Sequence, residues 1–539
     1  MKLQRLYDEI DPYNSTVPAW AAGAVIYQIF PDRFYNGNPQ NDVQTGEYTY
    51  GEEYAEGCIP VERVPGWNDP VKPLDVVRFY GGDLPGILEK LPHLKALGVE
   101  ALYLNPVFQS LSNHKYDTLS YEHIDPHLTT GSLETSDAYF AEFVRICHEN
   151  GIRVILDGVF NHCSSKNTIF TEALKDKNSP LRDWFSFSQE GVPEYWWNVK
   201  TLPKLNYEGS PALTEYMMGI ARKWVSAPYS CDGWRLGVAP ELAHSEEANH
   251  AFWRKFRETV KEANSEAIIL AETYDDPSSH LTGDEWDTCM NYRGFMDPVS
   301  FYVTGMEKHS DEKREDLFGN AAAFLESMQK ASHELPPDAA FTAMNQLDNH
   351  DHSRFITRTA KIVGRLLEKE SAAAGEETDP ALYKIAAVLQ FTWVGCPTIY
   401  YGDETALPGF TDPDSRRPYP WDSEDYTMVD FFSCLSKIHK DPVFRYGSLT
   451  VADPGETEGT LLFIREYRGE KALIVVNPKD EWKQVTLTEQ AEGSSYERIL
   501  STSAGFTSFG RKAGRAPVNG TFTVNMPPEG AKIYRFKNS

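Results

Sequence analysis

The sequence predicts an α/β protein, a (β/α)8 TIM barrel with an inserted subdomain after its third strand and a C-terminal all-β sandwich domain. Short, continuously apolar segments alternate with amphipathic helical segments over most of the chain, which indicates a parallel sheet buried on both faces. The alternation breaks once, from His162 to about Ala212. After about Tyr446 only strand-length segments remain, which is typical of a separate small β domain.

The barrel opens with three apolar strands and two helices between them. The strands are predicted at residues 24–30, 101–108 and 151–160, and the helices at residues 84–97 and 137–150, the second capped by Asp137. The break is too long for a simple loop and is predicted to be an inserted subdomain. We therefore place the barrel at residues 1–160 and 213–445, the inserted subdomain at 161–212 and the C-terminal β-sandwich domain at 446–539.

Composition and charge exclude several classes of partner. The chain has 539 residues and a net charge of −27, which repels nucleic-acid phosphates and anionic membranes. The N-terminus (MKLQRLYDEIDPYNST) lacks the apolar core of a signal peptide, and no run of 18 apolar residues predicts a membrane span. The seven cysteines are scattered, which favours free thiols in a reducing compartment. We expect a cytoplasmic protein with a neutral ligand and with neither nucleic-acid nor membrane partners; the oligomeric state is left open.

Acidic and polar motifs follow the apolar strands five times. A single motif of this kind is usually a satisfied polar cluster in a loop, but five in order after successive strands are a strong signal. Because such barrels place their active sites at the carboxyl ends of the strands, we expect these side chains to lie close together. The segments are residues 157–162 (DGVFNH), 235–237 (RLG), 271–274 (AETY), 347–351 (LDNHD) and 399–404 (IYYGDE).

In this order the segments resemble the motifs of the α-amylase superfamily, family 13 of the glycoside hydrolases, over nearly the whole chain. Residues 114–118 (HKYDT) also match, and residues 202–206 (LPKLN) are similar to the MPKLN motif of the neopullulanase, cyclomaltodextrinase and maltogenic-amylase group. That group usually carries an extra N-terminal β domain. We expect this domain to be absent here, because the first strand starts near residue 24.

The resemblance implies a role for each matched residue. Retaining glycosidases use two carboxyl groups about 5 Å apart, one attacking the anomeric carbon and one protonating the leaving oxygen. Glu272 would be the general acid/base, and Asp351 the acid that grips the sugar hydroxyls. Asp157 is expected to pair with Arg235. Asp414 and Arg417 match a loop that often touches sugars further from the scissile bond, and a solvated salt bridge is the equal alternative. The implied substrate-binding residues are Tyr116, His114, Asp157, His162, Arg235, His350, Asp414 and Arg417.

The residue expected to attack the sugar is missing. Residues 231–239 read CDGWRLGVA, whereas the family pattern is Gly, aromatic, Arg, apolar, Asp, so Gly237 stands at the nucleophile position. A glycine has no oxygen with which to attack. A different nucleophile is disfavoured, because Arg235 sets the register and the nearby acids Asp232 and Glu241 have the wrong offsets.

Two explanations of Gly237 are left. It is an engineered change, made to trap a substrate or to create a glycosynthase, or it is a natural loss that leaves a non-catalytic α-glucan-binding protein. The otherwise complete site favours the first. We therefore predict a retaining glycoside hydrolase or transglycosylase, with α-glucans (maltooligosaccharides, cyclodextrins or pullulan-type substrates) as partners, in a nucleophile-less form.

A group of oxygen-bearing residues suggests structural calcium. Ca²⁺ takes six to eight oxygen ligands, and some neopullulanase-like relatives bind calcium with matching residues. One negative charge is missing here because Asn38 replaces the usual aspartate, and an Asx-rich turn is the alternative. The candidate metal residues are Asn36, Asn38, Asn41, Asp42, Gly81 and Asp83.

Overall fold

The computed structural model describes residues 2–51, 57–457, 459–487, 495–515 and 522–537. The chain divides into two compact units. We call them the Glu272 unit (Tyr27–Met290 and Arg416–Pro420) and the Asp351 unit (Met1–Ile26, Asn291–Ser415 and Trp421–Ser539), after the predicted catalytic acid in each. The three predicted domain boundaries stay a prediction.

A parallel sheet forms the centre of the Glu272 unit. Its six strands lie side by side in chain order, and almost every residue in them is buried. Burial on both faces explains why the strands read as continuous apolar runs. The strands are β1 (Ile26–Ile29), β2 (Ala101–Leu104), β3 (Arg153–Gly158), β4 (Gly233–Leu236), β5 (Ile268–Ala271) and β6 (Thr288–Cys289).

Two helix predictions in this unit need correction. The segment predicted as one helix at residues 84–97 forms two, Leu84–Glu89 and Leu91–Leu97, because Pro92 has no N–H with which to continue the first helix. Asp137 is not a cap. The helix Leu133–Glu149 begins after Ser132, and the Asp137 carboxylate accepts hydrogen bonds from the His123 ring and the Ile124 N–H instead.

The remaining elements of the Glu272 unit are those of the predicted insertion, further helices and short strand pairs. Between residues 161 and 212 the chain forms one short α-helix, two 3₁₀ helices and several isolated antiparallel bridges, such as His162 with Lys204. The other helices are Thr168–Lys175, Pro211–Val225 and Glu246–Ala263, and the short strand pairs are Thr49–Tyr50 with Ile59–Pro60, Glu62–Arg63 with Arg78–Phe79, and Phe108–Ser110 with Thr118–Ile124.

The Asp351 unit contains two further parallel strands, β7 (Met344–Gln346) and β8 (Cys396–Tyr400), which pair with each other. The two units together contribute eight parallel strands, the number that the predicted barrel requires. Among the described residues no helix has both the length and the apolar character needed to cross a bilayer. The α-helices of this unit are Asp297–Thr304, Ala321–Glu334, Pro337–Thr342, Phe355–Thr359, Pro380–Thr392, Tyr426–His439 and Pro442–Arg445.

Two antiparallel sheets complete the Asp351 unit and form the predicted sandwich. Leu462, Val475, Val485 and Val524 are among the buried residues of the core that they share. The first strand of the chain, Leu3–Tyr7, belongs here although the sequence places residues 1–160 in the barrel. The larger sheet has the strand order Leu3–Tyr7, Ser448–Ala452, Leu461–Tyr467, Glu470–Asn477, Gly530–Lys537, Ser495–Ser503 and Phe506–Arg515, and the smaller sheet pairs Lys483–Leu487 with Phe522–Met526.

Candidate active site

Arg235 on β4 lies at the centre of the candidate site, between two carboxylates. Its Nη1 is 3.0 Å from Asp157 Oδ1, and its Nη2 is 2.7 Å from Glu272 Oε1. Asp157 on β3 is paired in register with Arg235, and Glu272 directly follows β5, the next strand. All three side chains are buried. The structure therefore brings together three residues that the sequence predicts to meet at the carboxyl ends of the strands.

Gly237 continues β4 by one residue, and its N–H donates to the Gly158 carbonyl at 3.1 Å. Its φ is not in the left-handed region, so the backbone does not require glycine here. A Cβ added at this position would lie 3.1 Å from Arg235 Nη1, 3.8 Å from the Gly158 carbonyl oxygen and 3.9 Å from Asp157 Oδ1. A side chain therefore needs only a small shift of the guanidinium, and a carboxylate at position 237 would lie beside that positive charge.

Glu272 is held in place by the residue that follows this glycine. The Val238 N–H donates to Glu272 Oε2 at 2.9 Å, while Arg235 contacts Oε1. Val238 adopts φ 42° and ψ 44°, a conformation that costs a residue other than glycine on the order of 1–3 kcal/mol. A positive charge and a hydrogen-bond donor both stabilise the ionised carboxylate. Both Glu272 carboxylate oxygens are therefore occupied, and one of these contacts must be exchanged before Glu272 gives or takes a proton at a sugar.

Asp157 receives two hydroxyl groups as well as the guanidinium. Tyr103 and Tyr116 donate to Asp157 Oδ2 at 2.6 Å and 2.8 Å. Burial raises the pKa of Asp157 above its usual range, and Arg235 is the main opposing influence. Sequence reasoning missed Tyr103 and also Asn105, whose side-chain amide donates to the Tyr116 hydroxyl at 2.9 Å. Both residues lie at the carboxyl end of β2, and this position could have identified them as candidate site residues.

The predicted sugar-binding residues His162 and Tyr116 contact each other. His162 Nε2 lies 3.1 Å from the Tyr116 carbonyl oxygen, and the Tyr116 N–H donates to His114 Nδ1 at 3.1 Å. The Trp196 ring stacks on the His162 ring with centroids 4.8 Å apart. Burial lowers the pKa of His162 to about 3, so this imidazole is neutral at ordinary pH. A neutral imidazole beside aromatic rings suits an uncharged sugar.

In the Asp351 unit, the predicted site residues His350 and Asp351 are neighbours whose side chains contact each other. The His350 Nε2 is 3.3 Å from Asp351 Oδ2, and the Asp351 carboxylate is one-third exposed while His350 is buried. The Thr411 hydroxyl donates to the Asp351 carbonyl at 2.6 Å, and the Ser415 hydroxyl donates to the His350 carbonyl at 3.1 Å. These two backbone contacts hold the loop while the Asp351 carboxylate stays accessible to a ligand.

Asp414 and Arg417, the paired candidates for outer sugar contacts, differ in their surroundings. Asp414 is fully buried, and its carboxylate accepts from the Ser371 hydroxyl at 2.8 Å and the Phe410 N–H at 2.9 Å. The Phe410 contact closes the turn at residues 410–414, the Ser371 contact ties this turn to a separate segment, and neither requires a sugar. Arg417 is half-buried and belongs to the short segment Arg416–Pro420 of the Glu272 unit. Their contact with a sugar stays a prediction.

The six candidate metal residues lie together in the Glu272 unit. Asp42 Oδ1 accepts from the Asn36 amide at 2.7 Å, and Asp83 Oδ2 accepts from the Asn41 amide and the Asn38 N–H, both at 2.9 Å. Gly81 has a φ of 84°, and a Cβ there would lie 2.4 Å from Asp42 Oδ1. Only glycine can therefore come this close to the Asp42 carboxylate.

Some oxygens of this group are available and others are already engaged. The buried Oδ1 atoms of Asn36 and Asn41 have no hydrogen-bond partner among the described residues. Burial raises the pKa of Asp83 to about 6. In contrast, Arg63 lies 2.8 Å from Asp42 Oδ2, so one carboxylate already has a positive partner. The unpartnered amide oxygens and the close glycine fit a hard cation such as calcium.

The sequence resembles known carbohydrate-active enzymes. Residues 28–445 match the family described as "Alpha amylase, catalytic domain". The chain is 35% identical to Neopullulanase 2 of Thermoactinomyces vulgaris over 489 residues, which cover 88% of this chain and 73% of that protein. It is also 35% identical to a cyclomaltodextrinase of Thermoanaerobacter pseudethanolicus over 491 residues, with the same two coverages.

Solved structures show the same likeness over almost the full length. The ligand-free cyclic α-maltosyl-(1→6)-maltose hydrolase of Arthrobacter globiformis has a TM-score of 0.73 at 27% identity, covering 97% of this chain and 100% of that one. The type III pullulan hydrolase of Thermococcus kodakarensis has a TM-score of 0.77 at 25% identity, covering 97% of this chain and 83% of that one. These likenesses confirm the (β/α)8 barrel with its inserted subdomain and C-terminal β sandwich. The chain belongs to the alpha-amylase family, family 13 of the glycoside hydrolases.

Proposed function

We propose that this chain binds α-glucan oligosaccharides at an α-amylase-type site that lacks its nucleophile. The chemistry of the site is that of a retaining glycoside hydrolase or transglycosylase, but hydrolysis by the chain as it stands is very slow. The names of its relatives point to pullulan, cyclomaltodextrins and cyclic maltosyl-maltose as model ligands.

One observation carries this proposal, the position of Arg235 beside a glycine. Retaining enzymes need a nucleophile and an acid/base on opposite sides of the scissile bond. Here the guanidinium that would lie beside a carboxylate at position 237 is bound to Asp157 and Glu272. The site therefore keeps the positive charge and the acid/base but lacks the attacking oxygen.

The alternative is a natural, non-catalytic α-glucan-binding protein. The double anchoring of Glu272 by Arg235 and the Val238 N–H favours it, because a carboxylate held in an ion pair is not available to protonate a leaving group. Both candidates predict sugar binding. They differ in whether Glu272 can still transfer a proton when another nucleophile is supplied.

The first prediction is that the unmodified protein binds maltooligosaccharides and that Tyr116 supports the bound sugar. Replacing Tyr116 by alanine should weaken Kd by roughly tenfold, because it removes the aromatic face. Tyr116→Phe is the matched control, since it keeps the ring and removes only the hydroxyl that donates to Asp157. Isothermal titration calorimetry measures both. Absence of binding at millimolar sugar, or an unchanged Kd for Tyr116→Ala, contradicts the proposed site.

We further propose that Asn36, Asn38, Asn41, Asp42, Gly81 and Asp83 hold a structural calcium ion. The two unpartnered amide oxygens would be ligands, and the two carboxylates would supply charge. A ligand that binds only the folded state raises the melting temperature by mass action. Calcium should therefore stabilise the protein against thermal unfolding when compared with a chelator.

The second prediction uses the charge that is missing at Asn38. Asn38→Asp adds a carboxylate to the set and should enlarge the calcium-dependent increase in Tm, because calcium prefers charged oxygens. Asn178→Asp makes the same change at an exposed position and should leave the increase as in the unmodified protein. Differential scanning calorimetry with calcium and with EDTA provides the comparison. If each of the three proteins has the same melting temperature with calcium as with EDTA, the segment is an Asx-rich turn without a metal ion.

A further inference from the structure

We propose that His250, His280 and Glu285 form a binding site for a divalent transition metal ion such as zinc. His250 lies on the helix Glu246–Ala263, and the other two residues lie between β5 and β6. This cluster takes no part in the sugar-binding site described above. Its ligand atoms also differ from those of the candidate calcium residues, because imidazole nitrogen suits zinc-like ions and not calcium.

The geometry brings two imidazole nitrogens to one carboxylate. His250 Nδ1 is 2.7 Å from Glu285 Oε1, and His280 Nδ1 is 2.5 Å from Glu285 Oε2. The two rings stack with centroids 4.1 Å apart, and one ligand atom from each residue lies within 4.8 Å of the others. Ligands of one tetrahedral zinc ion lie roughly 3.3 Å apart at bond lengths near 2.1 Å. The cluster therefore needs only a small opening to accept an ion.

Burial and exposure also suit a metal site. The Glu285 side chain is fully buried, and a buried carboxyl group requires polar partners. The His250 and His280 side chains are 22% and 12% exposed, so an ion and a water ligand can enter from solvent. The Trp286 ring stacks on His280 at 4.0 Å and fixes its orientation. Two histidines and one glutamate leave the fourth zinc position to water.

The guanidinium of Arg254 faces the Glu285 carboxylate and must be considered. Arg254 Nη2 lies 3.2 Å from Glu285 Oε1, and an arginine repels a metal ion. The Arg254 side chain is 55% exposed, however, and its Nε also contacts Asp284 at 2.8 Å. It can therefore leave Glu285 and stay paired with Asp284 when an ion binds.

The position of the cluster gives the ion a structural role. The helix that carries His250 also holds the turn after Gly237, because Asn249 and Trp253 both donate to the Ala239 carbonyl at 3.1 Å. His280 and Glu285 lie on the segment that follows Glu272. A bound ion would tie together the two segments that carry position 237 and the acid/base.

The test is zinc titration of the full, tag-free chain after chelator treatment, with calcium in excess to occupy oxygen sites. The unmodified protein is expected to bind one zinc ion at this cluster, and His250→Gln and His280→Gln should each weaken binding by at least about tenfold. His244→Gln is the matched control, because His244 also faces carboxylates, at 2.8 Å from Glu194, but has no second histidine. It should bind zinc as the unmodified protein does.

Two readouts keep the result decisive. Calorimetry gives stoichiometry and affinity, and the increase in Tm with zinc should be present in the unmodified protein and the control but lost in both cluster variants. If one cluster variant does not fold, the other variant still tests the site. The visible spectrum of the Co²⁺-loaded unmodified protein adds an independent test, because it reports nitrogen ligands and coordination number. Absence of zinc binding, or equal affinity in all folded variants, would show that the cluster is only a hydrogen-bonded network.

Discussion

The Gly237→Asp variant is expected to hydrolyse maltooligosaccharides and cyclodextrins at least about 10⁴-fold faster than the unmodified chain. The new Cβ would lie 3.1 Å from Arg235 Nη1, so the added carboxylate reaches the guanidinium with only a small adjustment. It supplies the oxygen that attacks the anomeric carbon. It also competes with Glu272 for Arg235, which makes Glu272 easier to protonate before it acts as an acid.

Two controls separate these effects. Gly237→Asn has almost the same shape as aspartate but cannot attack as a carboxylate, and it should stay at the slow rate. The double variant Gly237→Asp/Glu272→Gln should lose most of the gain, since the leaving oxygen is then not protonated. Initial rates of reducing-sugar release measure all forms. Equal rates for Gly237→Asp and the unmodified chain would mean that the nucleophile lies elsewhere.

The sequence predicted the parts of the fold that depend on a repeated pattern. Apolar runs marked strands such as β3 and β5, and the acidic motifs at their ends led to Asp157 and Glu272. This works because strand order and the carboxyl-end rule determine where such side chains meet. The edge strand Leu3–Tyr7 was missed because it buries little besides Tyr7 and so has no apolar run.

The contacts between side chains could not be predicted from the apolar runs and acidic motifs of the sequence. Nothing in the residues around Arg235 indicates that its guanidinium binds Glu272, because this depends on the space left by Gly237 and on the unusual backbone of Val238. Likewise His250 and Glu285 are far apart in sequence and match no metal motif. They meet only because a helix and a later loop pack together.

The last prediction is that an external nucleophile restores chemistry that Gly237 has removed. With azide or formate and an activated α-glucoside such as α-glucosyl fluoride, the unmodified protein should show measurable turnover. The missing side chain leaves room on the attacking side of the sugar, and fluoride leaves without needing a strong acid. With azide the product should be the β-glucosyl azide, because one displacement occurs instead of two. Gly237→Asp is the control and should gain nothing from azide.

A sugar donor with the opposite anomeric configuration tests Glu272 directly. β-Glucosyl fluoride has the configuration of the covalent intermediate, so a maltose hydroxyl can attack its anomeric carbon as fluoride departs, and Glu272 accepts the hydroxyl proton. The ion pair with Arg235 favours this step because it keeps Glu272 ionised. The product is an α-linked oligosaccharide, detected by chromatography and mass spectrometry. Glu272→Gln cannot accept the proton and should abolish transfer while sugar binding persists. If the unmodified chain binds maltooligosaccharides but shows no transfer, Glu272 no longer moves protons, and if azide rescue is also absent the chain is an α-glucan-binding protein.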